Sequence, residues 1–375
     1  MNINSILKKE GIKVIKELST FQVNSIASFI TNKLCNTFPE HNLDKQLIFA
    51  NLARLNMFIA EIPENHDKAK YFSLNNSIYF SSNVPFEEIG NIAVHECIHY
   101  LQETKDKYGN LIRLGLSSYE KGVKDLNLNE AAVQLMASET TNNKPDIVTY
   151  YNITLSTISP SYYPLQCCIV NQMAYFTGTY PLYNSTLFSN DIFKNTFIAK
   201  TSKKTYNTIS ENLDKIANLE YLLYLLTIDM QNAKDNIKTI NSINKLMNTK
   251  KKEIAEIFIN TQNLILEKCF NSEFNNIRNK KEIHNFQERL YNYKNILGIT
   301  PNYEFFNTFY YNMMVKLEKK EDYIENHGDI LIGESKEIAL MLYEEKTGIL
   351  YFIKKFFKKL RKLSGIRQES GQEYR

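Results

Sequence analysis

The chain has 375 residues, with 45 Lys and Arg against 41 Asp and Glu and a formal net charge of +4. That near-balance, with the two signs interspersed, argues against nucleic acid as a partner on charge alone. Only 12 Gly and 8 Pro point to a mainly helical protein, and the length allows a large core and two lobes. No stretch approaches the roughly eighteen apolar residues of a membrane-spanning helix, and the N-terminus lacks the apolar run and cleavage site of a secretory signal. The five cysteines, Cys35, Cys97, Cys167, Cys168 and Cys269, include no C-x-x-C pair. They read as free, buried thiols of a reducing compartment, so a cytoplasmic location is expected.

In chain order, apolar residues at helical spacing predict helices over 3–35 (Ile6, Leu7, Val14, Ile15, Leu18, then Phe21 to Leu34) and over 43–60. Residues 1–65 are therefore expected to be helices packed on the core that follows. Tyr71 to Phe80 is different. Asn75-Asn76, flanked by Tyr, Phe and Ile, predicts a tight turn between two short strands. A strand here has a use, because its free edge can hydrogen-bond an extended peptide. Val84-Pro85 then opens a helix with Glu87 and Glu88 in its first turn, where acids are favoured.

Within that helix, Asn91 to Gln102 reads N-I-A-V-H-E-C-I-H-Y-L-Q. His95 and His99 are four residues apart, so both imidazoles lie on one helix face and can grip one metal ion. Glu96 sits beside them, placed to act as general base on a water. Zinc takes nitrogen and carboxylate ligands and keeps an open position when catalytic. The surrounding apolar residues, Ile92 to Leu101, predict a buried helix, in which polar groups need partners. This helix is expected to run to about Lys107. A loop or short helix follows through Ser117-Ser118.

Asn129 is predicted as the N-cap of a second helix, with Glu130 in its first turn and 130, 133, 134 and 137 on one face. H-E-x-x-H followed some tens of residues later by Asn129-Glu130-Ala131 opening a helix resembles the gluzincin clan of zinc metallopeptidases, the thermolysin-like architecture. The resemblance covers roughly residues 70–180. It implies a zincin-like core over 66–200, zinc as cofactor, a peptide or protein substrate, and Glu130 as the third zinc ligand beside His95 and His99. Glu120 and Glu139 are rival ligands, and Glu103 is too close on the first helix. One position departs from the clan. Four residues after the ligand Glu, an Asp that supports a zinc histidine is replaced by Gln134, which can accept from an imidazole through its amide oxygen but with less charge. A tyrosine is a candidate to support the oxyanion, among Tyr150, Tyr151, Tyr162 and Tyr163.

A helix is predicted from Leu165 to Phe176, ending at Gly178. Residues 180–204 read as loop and short helix, and a helical lobe spans 201–345. His284 and His327 are isolated and read as structural or surface residues. The last segment, 346–375, contains a basic amphipathic helix over 349–363 that fits an anionic membrane surface, a partner, or simply the core with a solvated lysine face. The fold class expected is mainly α with a small β-sheet (α+β), a zincin-like core plus a helical C-terminal lobe. The function expected is that of a zinc metallopeptidase. The competing reading is a non-catalytic metal-binding or degenerate peptidase-like protein acting as a binding module.

Overall fold

The computed structural model describes residues 2–63, 68–120, 122–233, 236–298 and 303–343. The basic helix expected over 349–363 lies outside them. The fold is mainly α with small sheets, as the composition suggests. Two compact units divide the chain. Among the described residues, one holds those up to 269 and 294–304, the other 270–293 and 305–343.

The N-terminal stretch is not purely helical. Helix α1 (Ile3–Lys9) ends before Gly11, whose φ of +70° turns the chain, and β1 (Lys13–Glu17) follows. Its β-branched Val14 and Ile15 suit a strand. Helix α2 (Thr20–Thr37) starts at a capping box, in which Ser19 and Gln22 satisfy each other's backbone N–H groups. Helix α3 (Lys45–Leu52) is capped by Asp44 and stops well short of residue 60. Asn56–Glu61 forms β2 instead, because it pairs with strands on both sides. Strand pairing and two-sided burial here override an apolar spacing that also fits a helix.

The predicted turn at Asn75-Asn76 is present, with Asn76 left-handed at φ +48°, joining β3 (Ala69–Phe72) to β4 (Ser77–Ser81). The four strands form one sheet in the order β1-β2-β4-β3. Strands β2 and β4 run parallel and the outer pairs antiparallel. All of β4 is buried, and β3 is an edge.

Helix α4 (Phe86–Leu101) carries Glu87 and Glu88 in its first turn and buries Ile89, Ala93, Val94, Cys97 and Ile98 completely. It stops at Leu101 rather than near 107. The Asp106 carboxylate accepts the backbone N–H groups of Tyr108 and Asn110 at 2.8 and 2.9 Å, building a turn with Gly109 at φ +82°. That turn folds β5 (Glu103–Lys105) back on β6 (Leu111–Leu114), and β7 (Ser117–Ser118) completes a three-stranded sheet where a loop or helix was expected. Helix α5 (Leu126–Thr140) packs against α4. A hairpin follows, β8 (Asp146–Tyr150) and β9 (Ile153–Thr157), with Tyr151 and Asn152 both left-handed in its two-residue turn. Then comes α6 (Pro164–Thr177), closed by Gly178 as the sequence predicts. Residues 180–204 are mostly helical, in α7 (Thr179–Phe188) and α8 (Ile192–Lys200). The remaining helices are α9 (Lys203–Asn232), α10 (Ile237–Asn276), α11 (Lys280–Leu297), α12 (Tyr303–His327) and α13 (Ser335–Tyr343). Among the described residues no helix is long and apolar enough to cross a membrane.

The second unit encloses Lys320 on α12. Its Nζ donates to the Phe274 carbonyl at 2.6 Å and to Ser335 Oγ at 3.3 Å, over the Phe274 ring. Burial pushes its pKa down to about 8. The unfolded chain holds this proton to about pH 10.4, so between the two values it binds more protons than the folded chain and stability rises with pH. The buried thiols of Cys97 and Cys167, held above their ordinary pKa, pull the other way over the same range. The Lys320 contribution is therefore expected as a difference: between pH 8 and pH 10 the urea midpoint of the wild type, followed by far-UV circular dichroism, rises relative to that of Lys320→Met.

Candidate metal centre

Helix periodicity puts His95 and His99 one turn apart on the face of α4 that meets α5. Their Nε2 atoms are 3.0 Å apart. Glu130 Oε2 lies 3.4 Å from the first and 3.3 Å from the second. The three atoms make a triangle with sides of 3.0 to 3.4 Å. A tetrahedral zinc with ligands near 2.0–2.1 Å has ligand–ligand edges of about 3.3 Å, so the triangle matches one face of that tetrahedron. Among the described residues this is the one group of three that could hold a metal ion.

The outer nitrogens fix which atoms face the triangle. His95 Nδ1 meets Gln134 Oε1 at 2.9 Å, and Gln134 Nε2 donates to Ser138 Oγ at 3.2 Å, which orients that amide. His99 Nδ1 meets Gln102 Oε1 at 3.3 Å. Gln102 is held in turn by Asn129, whose Oδ1 accepts the Leu116 backbone N–H at 2.9 Å and whose Nδ2 donates to Gln102 Oε1 at 3.4 Å. An amide oxygen accepts only, so each neutral imidazole carries its hydrogen on Nδ1. Both Nε2 lone pairs then point at each other and at the carboxylate. Such a trio takes up either a proton or a metal cation. In the metal-free chain, burial opposes the charged form of His99, yet Glu130 outweighs it and raises the His99 pKa. Burial likewise works against ionised Glu130, and the two imidazoles overcome it and hold the carboxyl below the usual range.

Glu130 reaches the site from the second turn of α5, not the first. The helix begins four residues earlier, after Asp125, whose φ is +58°. Asn129 is therefore not an N-cap. It is fully buried, and its amide serves Leu116 and Gln102 instead. Gly115 leaves room for this amide pair. A Cβ there would lie 2.3 Å from Asn129 Oδ1 and 2.4 Å from Gln102 Nε2, at a backbone φ of +54°.

Glu96 lines the same cavity, of about 600 Å³. Its Oε2 accepts the backbone N–H of Tyr71 on the edge strand β3 at 2.8 Å. The Tyr71 phenol donates to Glu103 Oε1 at 2.8 Å, and Glu103 is not part of the metal triangle. Strand β3 pairs with β4 through Lys70 and Phe72, which turns the N–H and C=O groups of Ala69 and Tyr71 toward the cavity.

The other sequence candidates divide. Tyr163 and Tyr162 line the cavity. Tyr163 is left-handed at φ +50°, and its ring lies nearly parallel to that of His95, 6.4 Å away. Tyr150 and Tyr151 do not line it. The Tyr150 hydroxyl donates to the Pro160 carbonyl, and Tyr151 bonds Glu220. Glu120 is exposed, and Glu139 bonds the Tyr183 hydroxyl. His284 is exposed and His327 stacks on Tyr323. Burial raises the pKa of the Cys97 and Cys167 thiols, which argues against thiolate chemistry.

Sequence reasoning missed three contributors. Gln102 stands three residues after His99, and helical spacing could have singled it out. Asn129 reads locally as a cap. Tyr119 carried no signal at all, yet it lines the cavity, and after burial the charge of Glu130 raises its pKa. Comparison with protein-family models, curated proteins and solved structures finds no match to this chain.

Gly115→Ala is expected to lower stability by roughly 2–4 kcal/mol, combining a left-handed penalty with overpacking of the buried amides. Urea denaturation measures it. An effect below about 1 kcal/mol would mean the Gln102–Asn129 pair yields easily.

Proposed function

We propose that the chain is a zinc-dependent metallopeptidase, with His95, His99 and Glu130 as zinc ligands and Glu96 as general base. The observation that carries the reading is the convergence of three acceptor atoms, at the spacing of a tetrahedral face, beside a carboxylate in a cleft with a free strand edge. The motif-level resemblance to gluzincins supports it, with Gln134 in place of an Asp.

When bound, zinc lowers the pKa of a coordinated water toward neutrality and polarises a carbonyl. The chain's own residues supply the rest. Glu96, oriented by the Tyr71 N–H, takes a proton from the attacking water and returns it to the leaving amine. Gln134 and Gln102 hold the imidazoles in the tautomer that ligation requires. The outward N–H and C=O of Ala69 and the C=O of Tyr71 bind the peptide backbone of the substrate, while the Tyr71 N–H stays on Glu96. Tyr119, Tyr162 and Tyr163 line the cavity, and one of these phenols would donate to the oxyanion.

Equimolar zinc is expected in the purified protein by mass spectrometry of metals, with His99→Ala and Glu130→Gln each losing most of it. Because the metal-free chain raises the His99 pKa, protons compete from above the ordinary value, so zinc retention on dialysis should begin to fall before the pH drops to about 6.5. Retention unchanged down to pH 5 would contradict this.

Glu96→Gln is expected to keep zinc and lose cleavage of a peptide library by 10²- to 10⁴-fold, on the order of a general base's contribution. A wild-type chain that holds zinc and cleaves nothing would favour the non-catalytic binding module instead.

A further inference from the structure

We propose that Lys68 selects peptides that carry a side-chain carboxylate two or three residues from the bond to be cut; this rests on the metallopeptidase reading above.

The argument is one of charge and register. Besides Glu96 and Glu130, the cavity is lined by neutral side chains and two lysines, Lys68 and Lys70. Lys70 is already paired with Glu10 of α1. Glu130 is committed to the two imidazoles and Glu96 to the Tyr71 N–H. Lys68 is exposed at the cavity's margin and forms no ion pair with a described residue. With a divalent ion on the triangle, its two positive charges balance the Glu96 and Glu130 carboxylates, so the described residues of the wall carry no net negative charge to repel an acidic substrate.

The edge strand sets where a substrate carboxylate would lie. Tyr71 marks the reacting end, because its N–H holds Glu96. Lys68 precedes it by three residues, which at about 3.3 Å per residue is roughly 10 Å along the strand. A peptide lying extended on the Ala69–Tyr71 edge therefore brings its second or third residue from the scissile bond within reach of the Lys68 ammonium. The pair would form in water at the cleft margin, where ion pairs are weak. The selectivity should accordingly be modest, appear in KM, and fade with added salt.

The test uses the full-length, zinc-loaded chain and peptides that differ at one position, Glu, Gln or Lys, scanned over three residues on each side of the cut. Each is made with a free and with an amidated C-terminus. The expected result is a three- to fivefold higher kcat/KM for Glu than for Gln at one position, carried by KM and lost in high salt. Lys68→Met should level Glu and Gln, and Lys68→Glu should favour Lys. Lys33→Glu, on α2 and away from the cavity, controls for net charge and should leave the preference intact. Equal rates for Glu and Gln at all positions would overturn the proposal. So would a preference that survives Lys68→Met, or one that follows only the terminal carboxylate. No cleavage of any peptide, with zinc bound, removes the peptidase reading itself and this proposal with it.

Discussion

Two imidazole nitrogens and a carboxylate oxygen that face one another at 3.0 to 3.4 Å with no hydrogen between them repel. The surroundings do not let them turn away. Gln134 and Gln102 hold the far nitrogens, and both histidines belong to a helix whose other faces are buried. The metal-free chain relieves the conflict with a proton, which is why the His99 pKa goes up and that of Glu130 goes down together. A divalent cation relieves it more completely, because it meets all three lone pairs at once. The rest of the first unit can be understood as what keeps these three atoms convergent.

That support comes mainly from α5 and the segment before it. The Asp125 carboxylate accepts from Ser210 at 2.6 Å and pairs with Lys194 at 3.0 Å, which anchors the start of α5 on α8 and α9. Five residues later Glu130 emerges at the site. Between them Asn129 spends its amide on Leu116 and Gln102, linking α5, the loop after β6 and the end of α4. Gly115 passes close over this amide pair, and its N–H is taken by Ser189. A buried polar network of this kind is costly when partly satisfied and stiff when complete. Both histidines thus lean on neutral amides rather than carboxylates, so a bound divalent ion would retain more net positive charge than in a site braced by an aspartate.

The parts of this arrangement legible in the sequence were those with a local period. His95, Glu96 and His99 follow from helical spacing, the β3–β4 turn from Asn75-Asn76, and the end of α6 from Gly178. What was not legible depends on distant pairing. Val14-Ile15 and Met57 to Ala60 carry apolar spacings that suit a helix or a strand, and only the neighbours β2 and β4 decide between them. The end of α4 hinged on Asp106 as a turn residue, seen only once β5 and β6 fold together. Asn129 looks like a cap because capping is the commonest local use of an Asn before an acid, and its buried role needs Gln102 and Leu116, 27 and 13 residues away. Tyr119 had nothing to distinguish it among 24 tyrosines.

The placement of Glu96 shows why the strand and the helix belong to one device. Its carboxylate is reached from β3 through a backbone N–H, a donor that every substitution of Tyr71 except proline leaves in place. The same residue, Tyr71, sends its phenol to Glu103, which pairs with Lys105 at 2.6 Å, and Lys105 reaches back to Asn76 in the β3–β4 turn. Edge strand, turn and the strand after α4 are therefore strapped together around the C-terminal half of the helix. A shift of β3 relative to α4 would break several of these contacts together, so the separation between the carboxylate and the strand edge is set by the fold. In the proposed reaction that separation is what matters. Misplacement by about 1 Å between a base and its target can cost on the order of a hundredfold in rate. A carboxylate oriented by a fixed backbone donor is held toward its target, which is the placement a general base needs.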